Sequence, residues 1–157
     1  MSERKVPHDI AGYPFLHSID TRWMDNDVYG HVNNVIYYSF FDTAVAAFLM
    51  DRAGLDYIKS PMVGLVIETS CTYFDSIAFP DRVTVGVRVS KLGGSSVRYE
   101  VAIFKNDNTS ACAQGYFVHV YVDRTSNRPT PIPDQARSAM QALMMASPSE
   151  TTAHPKQ

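Results

Sequence analysis

Val83, Val85, Val87 and Val89 alternate with Thr84, Gly86, Arg88 and Ser90. A period of two is what an extended strand with one buried face produces. The same alternation runs earlier through Val63, Leu65, Ile67, Cys71 and Tyr73 and later through Val97, Tyr99, Val101 and Ile103, and a last apolar-rich run covers 111–123. Near the start, Phe15, Ile19 and Trp23 share one parity against Ser18, Asp20 and Arg22, which predicts a first strand. The pattern therefore predicts five strands. Short connections through Gly93-Gly94 and Asn106-Asp107-Asn108 predict that the last four follow one another as an antiparallel meander.

Between the first and second strands the period changes. Val35, Tyr38, Phe41, Val45 and Phe48 or Leu49 form a helical stripe, with Ile36, Tyr37, Phe40 and Ala44 filling much of the remaining surface. Asn33 and Asn34 are suited to cap the start, Arg52 complements the last turn, and Gly54 suits a left-handed close, so the helix is expected from there to about Ala53. About 20 residues, roughly 30 Å, with few faces fit for water must be wrapped by something. Pro129, Pro131 and Pro133 end the sheet, and a short helix is expected over 134–145. The sum is an α+β domain in which a curved five-stranded antiparallel sheet encloses a long central helix. A sheet of this kind has open edges, and a second copy of the chain is the natural cover for one.

Length and composition narrow the rest. The 157 residues suit one domain, here 15–146, preceded by a flexible arm or strap (1–14) and followed by a polar tail (147–157) expected to be disordered. With 45% apolar and 19% charged residues the chain folds by burial. A formal charge of −2 offers no broad basic field for nucleic acid or an anionic membrane. The run 35–50 is interrupted by Ser39, Asp42 and Thr43 and falls short of the ~20 residues a span needs. No charged-then-apolar leader precedes it, so a cytoplasmic location is expected, with Cys71 and Cys112 reduced and buried. A disulfide across the sheet is the alternative for that pair.

The chemistry gathers in RWMDNDVYGHVNNVIYYSFFDTA, residues 22–44. Backbone amides at the start of the helix lack internal partners and carry the positive end of its dipole, the right environment for a carbonyl oxygen gaining charge in acyl transfer. Asp27, a few residues upstream, is placed to attack such a carbonyl or to activate water beside it; Asp25 is the other acid of the turn. Turn-making and capping are the plain alternatives for both acids and for Asn33 and Asn34. His31 has no second His or Cys at ligand spacing, so no metal is expected. Trp23, Tyr37 and Tyr38 either line an acyl pocket or pack the core.

The segment DNDVYGHVNNVIYYSFFDTA resembles the N-terminal motif, D-x-D-x-x-G-H-V-N-N, of hotdog-fold acyl-CoA thioesterases of the 4-hydroxybenzoyl-CoA thioesterase type. YFDSIAFPD, LGGSSVRYE and HVYVDRTSNRPTPIP are similar to later segments of that family, so the likeness covers about 15–135. It implies a hotdog fold with sites at the interface of a homodimer; whether dimers pair further into a tetramer is left open by the sequence. It implies that Asp27 is the catalytic carboxylate, as nucleophile or as general base, and that the backbone amide of Asn34 polarises the carbonyl. Some relatives carry a His or Tyr side chain at the latter position; here only the backbone role carries over.

A thiolate leaves readily, so little further machinery is needed, and no metal or organic cofactor is expected beyond the coenzyme A of the substrate. Gly30, His31 and Asn33 complete the binding turn. Lys91, Ser95 and Arg98 are candidates for the phosphates and pantetheine arm of coenzyme A, with surface solvation as their alternative. Glu68 is a candidate to face the site from a partner. The rival functions are a non-catalytic hotdog module that binds acyl-CoA and a hotdog hydratase or dehydratase using His31. The acyl group is left open by the sequence, and the absence of a large basic face favours coenzyme A over an acyl carrier protein.

Overall fold

The computed structural model describes residues 4–144. The expected disordered tail at 147–157, the domain end at 146 and the last expected residue of the C-terminal helix lie outside them. Five strands form one antiparallel sheet: β1 (Phe15–Asp20), β2 (Met62–Tyr73), β3 (Arg82–Leu92), β4 (Ser96–Lys105) and β5 (Ala113–Asp123). Two helices, α1 (Ile36–Arg52) and α2 (Asp134–Met144), pack against it. This is the α+β arrangement of the hotdog fold.

The strand order is β1-β3-β4-β5-β2. Only β3, β4 and β5 form the expected meander; β2 pairs with β5 and becomes an edge. The reason lies in residues 74–81, which cross the end of the sheet instead of turning back. The Phe74 and Asp75 amides both donate to the Cys112 carbonyl, at 2.8 and 3.1 Å. The Lys105 ammonium holds the Asp75 carboxylate at 2.9 Å and the Ser76 carbonyl at 2.8 Å, and fully buried Ile77 anchors the crossing in the core.

Helix α1 has 17 residues, shorter than expected, because the Asn33 side-chain oxygen takes the Val35 amide at 3.1 Å and holds 33–35 as a turn ahead of the helical ladder. Its buried face is Tyr37, Phe40, Phe41, Ala44, Val45, Phe48 and Leu49, while Ser39, Asp42 and Thr43 are exposed. The wrapping is thus one-sided, and Val35, the first expected member of the stripe, faces solvent. Gly54 closes the helix with φ +68, and the Ala53 and Leu55 amides both donate to the Leu49 carbonyl.

The alternation in the strands sorts the two faces of the sheet. Val83, Val85, Val87 and Val89 of β3 and Val97, Tyr99, Val101 and Ile103 of β4 pack with α1 and α2 in one core. On the other face Tyr13, Ala102, Phe104 and Ala111 form a smaller cluster under the N-terminal strap. Tyr13 sits so close over Gly86 that a Cβ there would come within 2.6 Å of its own. The Arg88 guanidinium lies 4.5 Å from the Tyr13 ring centre and pairs with Glu100 at 2.6 Å. Gln114 clamps the strap from both sides, accepting the His8 amide at 2.7 Å and donating to the Val6 carbonyl at 3.0 Å.

Cys71 and Cys112 are free thiols, Cys112 buried and Cys71 half-buried. Burial pushes them up to about 11 and about 12 respectively, so both are protonated and unreactive at neutral pH. Among the described residues, no helix is long and apolar enough to cross a membrane.

Candidate active site

The turn after β1 is built on Asp25. Its buried carboxylate accepts the Arg22 amide at 2.8 Å and the Arg22 guanidinium at 2.9 Å, closing a short 3-10 turn over Trp23–Asp25. Its carbonyl accepts the Asn33 amide at 2.9 Å. One bridge further in, Asn26 opposes Val32, and the Asp27 amide donates to the His31 carbonyl at 2.8 Å. Residues 25–33 are therefore a small closed loop. Gly30 makes it possible: φ +82 is a conformation that side chains resist, and its amide returns to the Asp27 carbonyl at 3.1 Å. The loop is fastened to the crossing segment by Val32 N–H to the Ile77 carbonyl at 2.7 Å and Phe79 N–H to the Asn26 side chain at 3.1 Å.

Asp27 is half-buried in this loop. Its Oδ1 accepts the Tyr29 amide at 2.9 Å, while Oδ2 receives no donor among the described residues. The bond at Oδ1 fixes the carboxylate and leaves Oδ2 open. Asp27 and Gly30 line an open cleft of about 470 Å³ with Trp23, Asn26 and Val28. Around it the side chains are unusually apolar for a surface: Trp23 is 74% exposed, Val28 94% and Tyr29 83%. Trp23 departs from its expected strand parity because Asp25 ends the extended run at Arg22; its ring meets Phe79 edge-on at 6.0 Å.

Asn33 and Asn34 lie at the start of α1 on the far side of the loop. Asn33 is engaged at three points, its amide to Asp25, its side-chain oxygen to Val35 and its carbonyl to the Ile36 amide. The Asn34 amide donates to no acceptor among the described residues, and its carbonyl accepts the Tyr73 hydroxyl at 2.9 Å. The sequence does not single out Tyr73, which reads there as one more alternating strand residue. His31 is exposed, and its carbonyl, not its ring, ties the loop. Among the described residues no three of His, Cys, Asp and Glu gather as a metal site would require.

The remaining candidates lie elsewhere within one chain. Lys91 and Arg98 are register partners across β3 and β4, on the face turned away from α1, and Ser95 is in the connecting hairpin. Arg98 stacks on Tyr116 at 3.9 Å, and the Tyr116 hydroxyl donates to Glu68 at 2.6 Å, so Glu68 also belongs to that outer face. This hairpin is at the opposite end of the sheet from Tyr73 and Asn34.

The thioesterase-like superfamily model matches residues 21–140. The chain is similar to the PA5185 protein of Pseudomonas aeruginosa strain PAO1, with 51% identity and a TM-score of 0.86 over 88% of this chain and 96% of that one. It is also similar to a thioesterase from Thermus thermophilus solved in complex with coenzyme A and Zn, with 31% identity and a TM-score of 0.71 over 85% of this chain and 97% of the other. A further relative is the uncharacterized protein YsmA of Bacillus subtilis (strain 168), 21% identical over 130 residues, 83% of this chain and 87% of YsmA. The family match takes in the whole Asp27 loop, α1 and the sheet from β2 to β5, and the chain belongs to the thioesterase-like superfamily.

Proposed function

We propose that this protein is an acyl-CoA thioesterase in which Asp27 is the catalytic carboxylate and the Asn34 amide polarises the thioester carbonyl. The observation that carries the reading is a pair of unengaged groups, Oδ2 of Asp27 within the tied loop and N–H of Asn34 just beyond it, at the start of the helix where the Asn33 and Val35 amides on either side both have partners. Donors held in place ahead of the reaction stabilise an oxyanion without reorganising. With Asp27 as nucleophile, Oδ2 attacks the thioester carbon, the C–S bond breaks, coenzyme A leaves as thiolate, and water then hydrolyses the mixed anhydride to return the carboxylate. With Asp27 as general base, the carboxylate takes a proton from water as that water attacks. Both routes yield free acid and coenzyme A, and neither routes a step through a metal or organic cofactor.

The cleft at Asp27 is open on one side, and a second copy would close it. Strand β2 is an edge of 12 residues on which Leu65, Val66 and Ile67 are exposed and Glu68 is the one charge, tied back to Tyr116. Proteins usually blunt such an edge with lysine or proline, so this one is fit for pairing. Two-fold antiparallel pairing along β2 reverses the strand and brings the hairpin end of the partner's sheet, with Lys91, Ser95 and Arg98, toward the end that holds Asp27. That gives the phosphates of coenzyme A their cations from across a homodimer. The coenzyme A in the similar Thermus structure supports this leaving group. The exposed Trp23, Val28 and Tyr29 favour an apolar or aryl acyl chain.

The test is thiol release from short, medium, long and aromatic acyl-CoAs by the purified protein. Turnover of one class supports the reading and names the acyl group. Tight binding without thiol release would replace it with the acyl-CoA-binding module.

A further inference from the structure

We propose that Tyr73 is a positioning residue for the Asn34 amide: its hydroxyl holds the Asn34 carbonyl at 2.9 Å and so fixes the peptide planes that aim the free N–H into the site. This rests on the reading above, in which that N–H polarises the thioester.

Two peptide units flank residue 34, and together they carry four polar groups. The peptide that links 33 to 34 is held at its carbonyl by the Ile36 amide, at 2.9 Å. The next peptide is held at both ends, its N–H by the Asn33 side chain at 3.1 Å and its carbonyl by Tyr73. Three of the four groups are engaged and the fourth is the Asn34 N–H. Residue 34 precedes the first helical residue, so the α1 ladder does not set its conformation. Of the three restraints, two come from residues 33–36 themselves, and only Tyr73 reaches residue 34 from the sheet, 39 residues away in sequence.

Tyr73 is itself well fixed. Its ring stands edge-on against Tyr37 with centroids 4.9 Å apart, Tyr37 is buried in the core, and its backbone pairs with Ala113 of β5. Tyr73 is 41% exposed, and partial burial, reinforced by Cys71, raises the pKa of the phenol, so at neutral pH the hydroxyl keeps its proton and donates it. The contact thus ties an edge of the sheet to the start of α1.

A simple staple between β2 and α1 would show the same geometry, and kinetics separate the two. Losing an oxyanion donor outright costs about 10²–10³ in turnover, so losing its alignment is expected to cost about tenfold. The experiment compares wild type, Tyr73→Phe and Asp27→Asn on one acyl-CoA that the wild type hydrolyses. Tyr73→Phe keeps the ring and its contact with Tyr37. The expected result is a kcat lower by about tenfold, a KM within about twofold of wild type, and faster hydrogen exchange at the Val35 amide, the N–H of the peptide that Tyr73 holds. Should Tyr73→Phe unfold, 4-fluorophenylalanine at position 73 keeps the ring and a substituent in place of the hydroxyl while removing the donor, and the same direction of kcat change is expected. An unchanged kcat in a folded variant, beside an inactive Asp27→Asn, overturns the positioning role and leaves the thioesterase reading standing. A wild type that releases no thiol from any acyl-CoA overturns both.

Discussion

The buried carboxylate of Asp25 and the exposed guanidinium of Arg22 meet at 2.9 Å, three residues apart, at the point where β1 gives way to the Asp27 loop. The acid is 2% exposed and the base 69%, so the two partners are not equivalent. Asp25 also accepts the Arg22 amide and, through its carbonyl, the Asn33 amide. Of the two acids in the motif, Asp25 shapes the loop, while Asp27 keeps one carboxylate oxygen without a donor among the described residues. Asp25→Ala is expected to lower unfolding free energy by about 1–2 kcal/mol through loss of the cap and of buried hydrogen bonds. Arg22→Ala should shift the urea midpoint far less, since its side chain is mostly in water and Asp25 keeps the backbone donor. Equal losses in the two variants would contradict this division.

His119 and Tyr99 make an unusual pair in the core. The Tyr99 hydroxyl and His119 Nδ1 are buried without a hydrogen-bond partner among the described residues, and the two rings meet edge-on at 5.8 Å. Burial pushes His119 down to about 4 from 6.5. The unfolded chain therefore binds a proton that the folded chain refuses between these values. Stability is expected to be full above pH 6.5 and to fall as the pH drops toward 4, with His119 contributing about 3 kcal/mol to that loss. His8 is shifted in the same direction, so the contribution of His119 is read as a difference. Urea unfolding at pH 7 and pH 4.5 should show a smaller acid loss in His119→Phe than in the wild type.

Dimer formation through β2 predicts that a charge on its exposed stretch separates the copies. Ile67 is 62% exposed in the single chain and sits at the irregularity between Val66 and Glu68. Ile67→Lys is expected to sediment as a monomer and to lose most thioesterase activity while keeping its fold, because each cleft would lack the other copy's cations. An active monomer would show that one chain holds a complete site.

Much of this is legible in the sequence because it is local. The valines of β3 announce a strand with one buried side, and all four are buried. The left-handed Gly54 and the turn residues of the Asp27 loop behave as their chemistry dictates. What the sequence conceals is set by partners far along the chain. Whether β2 lies beside β3 or β5 depends on the anchored crossing at Ile77, which no periodicity reports. Trp23 looks like a strand residue until Asp25 ends the extended run before it. Lys91, Ser95 and Arg98 share one hairpin, yet it stands at the far end of the sheet from the Tyr73–Asn34 contact. Tyr73 leaves no local signal at all, since its contact with Asn34 joins an edge strand to a helix start.

The most direct test of Asp27 as the catalytic carboxylate is the turnover of Asp27→Asn against wild type on a hydrolysable acyl-CoA, with unfolding midpoints measured for both. The substitution keeps the shape and the Oδ1 that accepts the Tyr29 amide, and removes the charge that attacks or takes a proton. The expected result is a kcat lower by about 10³ or more with a midpoint near that of the wild type. A folded Asp27→Asn that turns over at the wild-type rate would contradict it.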